Sequence, residues 1–170
     1  AEVCVEYLAL QVQAGAQMVQ VFDSWAAELG PKQFKEFAMP YLKYISDNLP
    51  GKLKSMGLPE VPMIVFAKGA WYALDDLCSL GYNVVGLDWL QDPAEAVKIR
   101  GDRKIVFQGN ADPGILYGTK DKITAAVEDM VKGFGGGKQG WIANLGHGIT
   151  PKVDPEDLRF YFEEIRRCTA

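Results

Sequence analysis

PMIVFAKGAWYALDDLCSLGYNVVGLDW, residues 62–89, decides how this chain folds. It opens on a run of apolar and β-branched side chains, passes through a segment of helical character and closes on a second apolar run. Neither run alternates apolar with polar residues. PMIVFAK (62–68) and NVVGLDW (83–89) are nearly continuous in hydrophobicity, as strands covered on both faces are. Strand, helix and strand in that order make a parallel βα unit. Three more runs of the same kind lie outward from it: MVQVFDS (18–24), KIVFQGN (104–110) and WIANLG (141–146). The expected class is therefore α/β, built from five parallel βα repeats.

The segments between the runs carry helix signals. PKQFKEFAMPYLKYI (31–45) places Phe34, Phe37, Ala38, Tyr41, Leu42 and Ile45 on one predicted apolar stripe, with Pro40 kinking it. DPAEAVKIR (92–100) offers Asp92 as N-cap, Pro93 at the first helical position and Glu95 at the capping-box position. DPEDLRFYFEEIRR (154–167) repeats the device with Asp154 and Pro155. It predicts a buried stripe of Leu158, Tyr161, Phe162 and Ile165, with Arg166 and Arg167 at the negative end of the helix dipole. The glycine-rich GFGGGKQG (133–140) precedes a strand instead of opening a helix, so it reads as a flexible connector and not a phosphate cradle.

Composition bounds the function. The chain has 170 residues, is 48% hydrophobic and carries a formal net charge of −4, which suits one sizeable core. Acidic balance and the lack of a basic stripe argue against a nucleic-acid partner. No apolar run approaches the ~20 residues of a membrane span. Three widely spaced cysteines, Cys4, Cys78 and Cys168, argue against a disulfide framework and against a structural zinc site, and suit a reducing compartment. AEVCVEYLALQVQAGAQ reads as helix from residue 2 with no initiator Met and no cap before it, an opening expected of a cut chain.

The runs end in polar groups: Asp23–Ser24, Lys68, Asp88–Trp89, Asn110 and Gly146–His147, the last containing the single histidine. In parallel α/β folds the carboxyl ends of the strands share one face, where ligands bind. Strand ends are also polar simply because they reach solvent; five together, with Phe22, Phe66, Trp89 and Phe107 for company, favour a pocket. Asp88 invites a general-base reading, whereas Asp112 and Asp154, each before Pro, read as helix caps. Lys68 reads as a rim cation, or as a Schiff-base nucleophile. Trp25, Trp71 and Trp89 read as packing residues, with Trp71 in a loop that can expose it. Ser24 suits either a helix cap or a ligand hydroxyl. The glycines flanking His147 would permit positive φ and close ligand approach. Five units fit either an open doubly wound sheet or part of a (β/α)8 barrel, whose full length is about 250 residues.

AGAQMVQVFDSWAAELGPKQFKEFAMPYLKYI, PMIVFAKGAWYALDDLCSLGYNVVGLDW, QGNADPGILYGTK and NLGHG together resemble the uroporphyrinogen decarboxylase family, in a eukaryotic, fungal-like form. The resemblance runs over residues 1–170 and implies one partial barrel domain without a linker. That domain would be the C-terminal half of the family chain, about five of the eight strands of a TIM (β/α)8 barrel. It implies a carboxy-lyase that decarboxylates the four acetates of uroporphyrinogen III to give coproporphyrinogen III in haem biosynthesis. No metal or organic cofactor is implied. The full-length family enzyme is a cytoplasmic homodimer, with no nucleic-acid or membrane partner. Two substrate-binding positions carry over by motif: Ser24 from F-[DE]-S and His147 from N-[LF]-G-H-G, with Phe22 a weaker third. The family's Arg-rich segment, pyrrole-binding Asp and active-site Tyr match nothing in this chain, so its catalytic residues are unassigned and the isolated chain is expected to be inactive.

Three other readings compete. A zinc- or cobalamin-linked methyltransferase of the same superfamily would need thiolate and imidazole ligands at strand ends. The three cysteines, all in helix-like segments, and the lone histidine argue against it. A Schiff-base aldolase would use Lys68. A half-barrel acting only as a folding or assembly unit would expose apolar sheet edges and associate.

Overall fold

The computed structural model describes residues 1–138 and 140–170. Five parallel strands alternate with helices, and strand order follows chain order from β1 to β5. The strands are β1 Val19–Asp23, β2 Met63–Ala67, β3 Val84–Gly86, β4 Val106–Ala111 and β5 Trp141–Leu145. Each falls on one of the five apolar runs. The chain forms two compact units, Ala1–Val85 and Gly86–Ala170.

In the first unit, β1 and β2 pair in parallel from Val19↔Met63 to Asp23↔Ala67. Every residue of β2 is buried, as its unbroken hydrophobicity requires, whereas β1 leaves Phe22 66% exposed. The expectation of burial on both faces therefore holds for β2 and not for β1. Helix α1 (Glu2–Gln13) buries Val5, Leu8, Ala9 and Val12, one face at helical spacing. It runs beside α3 (Met39–Ser55), and Lys52 Nζ reaches Glu6 Oε1 at 2.7 Å.

The stripe read over 31–45 is corrected. The chain forms two helices, α2 (Pro31–Phe37) and α3 (Met39–Ser55), joined at Ala38 (φ −109°, ψ −52°). Pro40 stands in the first turn of α3, where its missing N–H costs nothing, so it starts a helix instead of kinking one. The break shifts the helical phase. Phe34, Leu42 and Ile45 stay buried, while Phe37 and Tyr41 are exposed. The rest of the α3 face, Ser46, Leu49 and Leu53, is buried. Two hydroxyls then pin the loop before β3 to α3: Ser46 Oγ donates to the Leu80 carbonyl (2.5 Å) and Tyr82 to that of Leu42 (2.8 Å).

In the second unit, β4 and β5 pair in parallel from Phe107↔Trp141 to Ala111↔Leu145. Helix α5 (Pro93–Arg100) starts as its sequence predicts, with Asp92 accepting the Glu95 N–H at 2.8 Å. A 3-10 turn, Pro113–Tyr117, is capped by Asp112 through the Gly114 N–H. Helix α6 (Lys120–Gly133) buries Ile123, Val127, Met130 and Val131. The connector over 133–140 leads from α6 into β5; Gln139 in it lies outside the described residues. At its start Phe134 stacks on Trp141 (centroids 5.1 Å, interplanar 18°).

Helix α7 (Pro155–Thr169) is capped by Asp154, which accepts the Glu156 N–H, and Arg166 and Arg167 lie in its last turn. Its stripe is narrower than predicted. Tyr161 is fully buried, Leu158 and Ile165 are half-buried, and Phe162 is exposed. Arg167 ties α7 to α6 through Glu128 (2.7 Å), besides pairing with Glu164 on its own helix (2.9 Å).

Candidate functional site at the strand ends

The first unit presents the ends of β1 and β2. After β1 the chain turns through Ser24 and Trp25 into a 3-10 turn, Ala26–Glu28. Ser24 is half-buried and Phe22 lies open beside it, edge-on to Phe66 at a centroid distance of 6.3 Å. Asp23, between them, is half-buried. Burial pushes its carboxyl above its ordinary value, opposed by the Trp25 N–H that it accepts. The Tyr72 phenol is raised as well, by burial and then by the negative charge of Asp23. Lys68, the first residue after β2, is half-buried, and its backbone N–H donates to the Asp23 carbonyl at 3.0 Å. The tryptophans depart from expectation. Trp25 (75% exposed) stands in solvent instead of packing, and Trp71 (59%) shows the exposure its loop allowed.

The second unit presents the ends of β3, β4 and β5. His147 follows β5 on an exposed loop, and its ring lies 6.4 Å from that of Trp89 at an interplanar angle of 27°. Trp89, 37% exposed, is thus an aromatic neighbour of the histidine and not a buried packing residue. The glycines around His147 act differently from the prediction. Neither Gly146 nor Gly148 has positive φ. Gly146 is there because backbone passes too close for a side chain: a Cβ would stand 2.7 Å from the Trp89 nitrogen and 3.0 Å from Asp88 Cα. Its N–H donates to the Ala111 carbonyl at 2.6 Å. Gly148 faces open space.

Asp88 is buried, and its Oδ1 accepts the Leu90 N–H at 2.9 Å. This carboxylate shapes the turn after β3. Asn110, also buried, donates from one amide nitrogen to the carbonyls of Asp88 (2.9 Å) and Gln91 (2.6 Å). The loop holding Trp89 is thereby fastened to the end of β4. Sequence reasoning marked Asn110 only as a polar strand end, and gave no role to Tyr72 or Gly69. A polar amide closing an apolar run, and a glycine directly after one, were the available signals.

Cys4 is exposed on α1, Cys78 is buried at the end of α4 (Leu74–Leu77) and Cys168 is half-buried on α7. None stands at the carboxyl end of a strand. Among the described residues no group of three or more His, Cys, Asp or Glu side chains is placed to hold a metal ion. Among the same residues no helix is long and apolar enough to cross a membrane.

Comparison with known proteins sets this arrangement in context. A methyltransferase from Methanosarcina mazei superposes with a TM-score of 0.81, covering 99% of this chain and 47% of that one. At 18% identity it shows the fold alone: these repeats are part of a TIM (β/α)8 barrel. The uroporphyrinogen decarboxylase of Schizosaccharomyces pombe is 58% identical over 96% of this chain, and that of Danio rerio 51% identical over 96%. The chain spans about 45% of the first relative's length and 44% of the second's. The model of the family described as uroporphyrinogen decarboxylase (URO-D) matches residues 1–168, and the chain belongs to that family.

Proposed function

We propose that this chain is the C-terminal half of a uroporphyrinogen decarboxylase, the half that supplies Ser24, His147 and Phe22 to the substrate. The observation that carries this reading is the 58% identity to the fission-yeast decarboxylase, sustained over 96% of the chain. The reaction protonates a pyrrole α-carbon, which makes the ring a cationic electron sink; the adjacent acetate loses CO2, and reprotonation of the methylene leaves a methyl group. Loss of the α-carbon proton then restores the pyrrole, so each acetate takes up one proton net and releases one CO2, with neither metal nor organic cofactor required. The protein's part is to orient a flexible octa-acid and to place negative charge under the cationic ring.

Ser24 offers one hydroxyl donor to a substrate carboxylate, with Phe22 presenting an open apolar face one residue away from the intervening Asp23. His147, exposed and set against Trp89, donates to an acetate or propionate. The carboxylate that accepts the pyrrole N–H groups belongs to the other half of the enzyme. The complete enzyme is a homodimer of the cytoplasm, and the 170-residue chain alone has negligible turnover.

The test is an anaerobic assay of uroporphyrinogen with the whole native protein and, separately, with residues 1–170. Coproporphyrinogen from the whole protein and none from the segment is the expected result. Coproporphyrinogen from the segment alone would contradict the division of the site. No conversion by the folded whole protein would contradict the activity.

A further inference from the structure

The segment carrying Ser24 is clamped by the residues that follow β2. The Lys68 N–H bonds the Asp23 carbonyl at 3.0 Å. Next, Gly69 (φ +76°) lies so close to Ala27 that a Cβ there would collide with the alanine's own. The Tyr72 hydroxyl then donates to the Leu29 carbonyl at 2.7 Å. The Tyr72 ring is held in turn, edge-on to the fully buried Phe34 (6.0 Å, 87°). Within the segment, the Glu28 and Leu29 N–H groups close on the Trp25 and Ala26 carbonyls at 3.0 and 3.1 Å. Ser24 thus sits in a short turn fixed before it at Asp23 and after it at Leu29. Between those points the turn carries little apolar anchorage of its own: Ala26 is its one buried residue, and Trp25 stands in solvent. A turn so anchored holds one conformation only as well as its outside contacts hold it.

We propose that Tyr72 is a positioning residue for Ser24: by bonding the Leu29 carbonyl it fixes the 24–29 segment, and with it the direction in which the Ser24 hydroxyl meets a substrate carboxylate. This rests on the reading of Ser24 as a substrate-binding residue. The phenol does not touch substrate; it raises the fraction of molecules whose Ser24 is correctly placed, and apparent affinity scales with that fraction. One neutral hydrogen bond of this kind changes such a fraction by roughly 2- to 13-fold. The effect belongs in KM, because the groups that handle the cationic ring lie elsewhere.

The experiment uses the whole native protein in anaerobic steady-state kinetics with uroporphyrinogen, comparing Tyr72→Phe, Ser24→Ala and the double variant. Tyr72→Phe is expected to raise KM by roughly 2- to 13-fold with kcat unchanged, and to add nothing once Ser24 is alanine. Gly69→Ala, which drives Ala27 outward, is expected to reproduce the pattern. An unchanged KM in Tyr72→Phe overturns the proposal. So does an equal loss in both backgrounds, which is what a purely structural role would give. Unchanged kinetics in Ser24→Ala removes the substrate-binding reading, and the positioning role falls with it; that failure is distinct from the other two.

Discussion

Substituting Gly146 by alanine presses a methyl group into backbone. The new Cβ would stand 2.7 Å from the Trp89 nitrogen and 3.0 Å from the carbonyl carbon and Cα of Asp88, well inside the ~3.5–4.0 Å of an ordinary carbon contact. No flexible side chain is available to yield, since all three atoms are main chain. Either the end of β5 or the 88–89 segment must shift, and each is tied: Gly146 N–H to Ala111, and the 88–91 loop to Asn110. Overpacking against such a neighbour costs about 1–3 kcal/mol, and this site belongs at the upper end. Backbone strain contributes nothing, because φ at Gly146 is not positive. Two residues on, Gly148 meets nothing within 4 Å, so Gly148→Ala should stay within about 0.5 kcal/mol of the parent. Urea unfolding of the whole protein, followed by circular dichroism, measures both; the midpoint should fall for Gly146→Ala at unchanged slope. Equal stabilities for the two variants would refute the close-approach argument.

Asn110→Ala should destabilise the protein by about 2–4 kcal/mol, because two buried carbonyls lose their shared donor; a loss under about 0.5 kcal/mol in the same assay would contradict the pinning role. Asp23 gives a pH signature. Its folded carboxyl is raised above the ordinary value of 3.8, chiefly by burial, so the native state holds this proton more tightly than the unfolded chain. Its contribution to stability is present at low pH and is lost as pH rises through that window. Asp23→Asn should gain stability relative to the parent as pH rises above the ordinary carboxyl value of 3.8, and a difference that shrinks with rising pH would contradict the assignment. Leu49→Ala, at a fully buried position on α3, should cost about 2–5 kcal/mol by the same denaturation measurement, while Phe37→Ala should cost far less; equal losses would reverse the correction to the apolar stripe.

The strands were legible because β-branched and aromatic runs bounded by polar residues have few other uses, and the cap at Asp92 because its side chain acts on its own helix. What failed depended on phase or on distant backbone. Phe37 and Tyr41 lost their place when the helix broke at Ala38, a break that a proline at position 40 marks but does not locate. Phe162 falls outside the α7 stripe, whose buried residue is its neighbour Tyr161, with a hydroxyl that donates to the Asn144 carbonyl at 3.1 Å. A local argument offers positive φ for the glycine beside His147, whereas the constraint comes from Asp88 and Trp89, far away in sequence. Ser24 and His147 were found through family motifs, since a lone serine or histidine after a strand has no spacing signature of its own. Tyr72 was missed because its partner, the Leu29 carbonyl, leaves no trace in composition or periodicity.

If this half of the barrel hands binding side chains to an octa-acid substrate, as proposed, His147→Asn in the whole protein should alter the product distribution. Single-turnover and steady-state anaerobic reactions should release partly decarboxylated porphyrinogens that the parent retains, with the fold unaltered by circular dichroism. Complete conversion with the parent's kinetics and no released intermediates would contradict it.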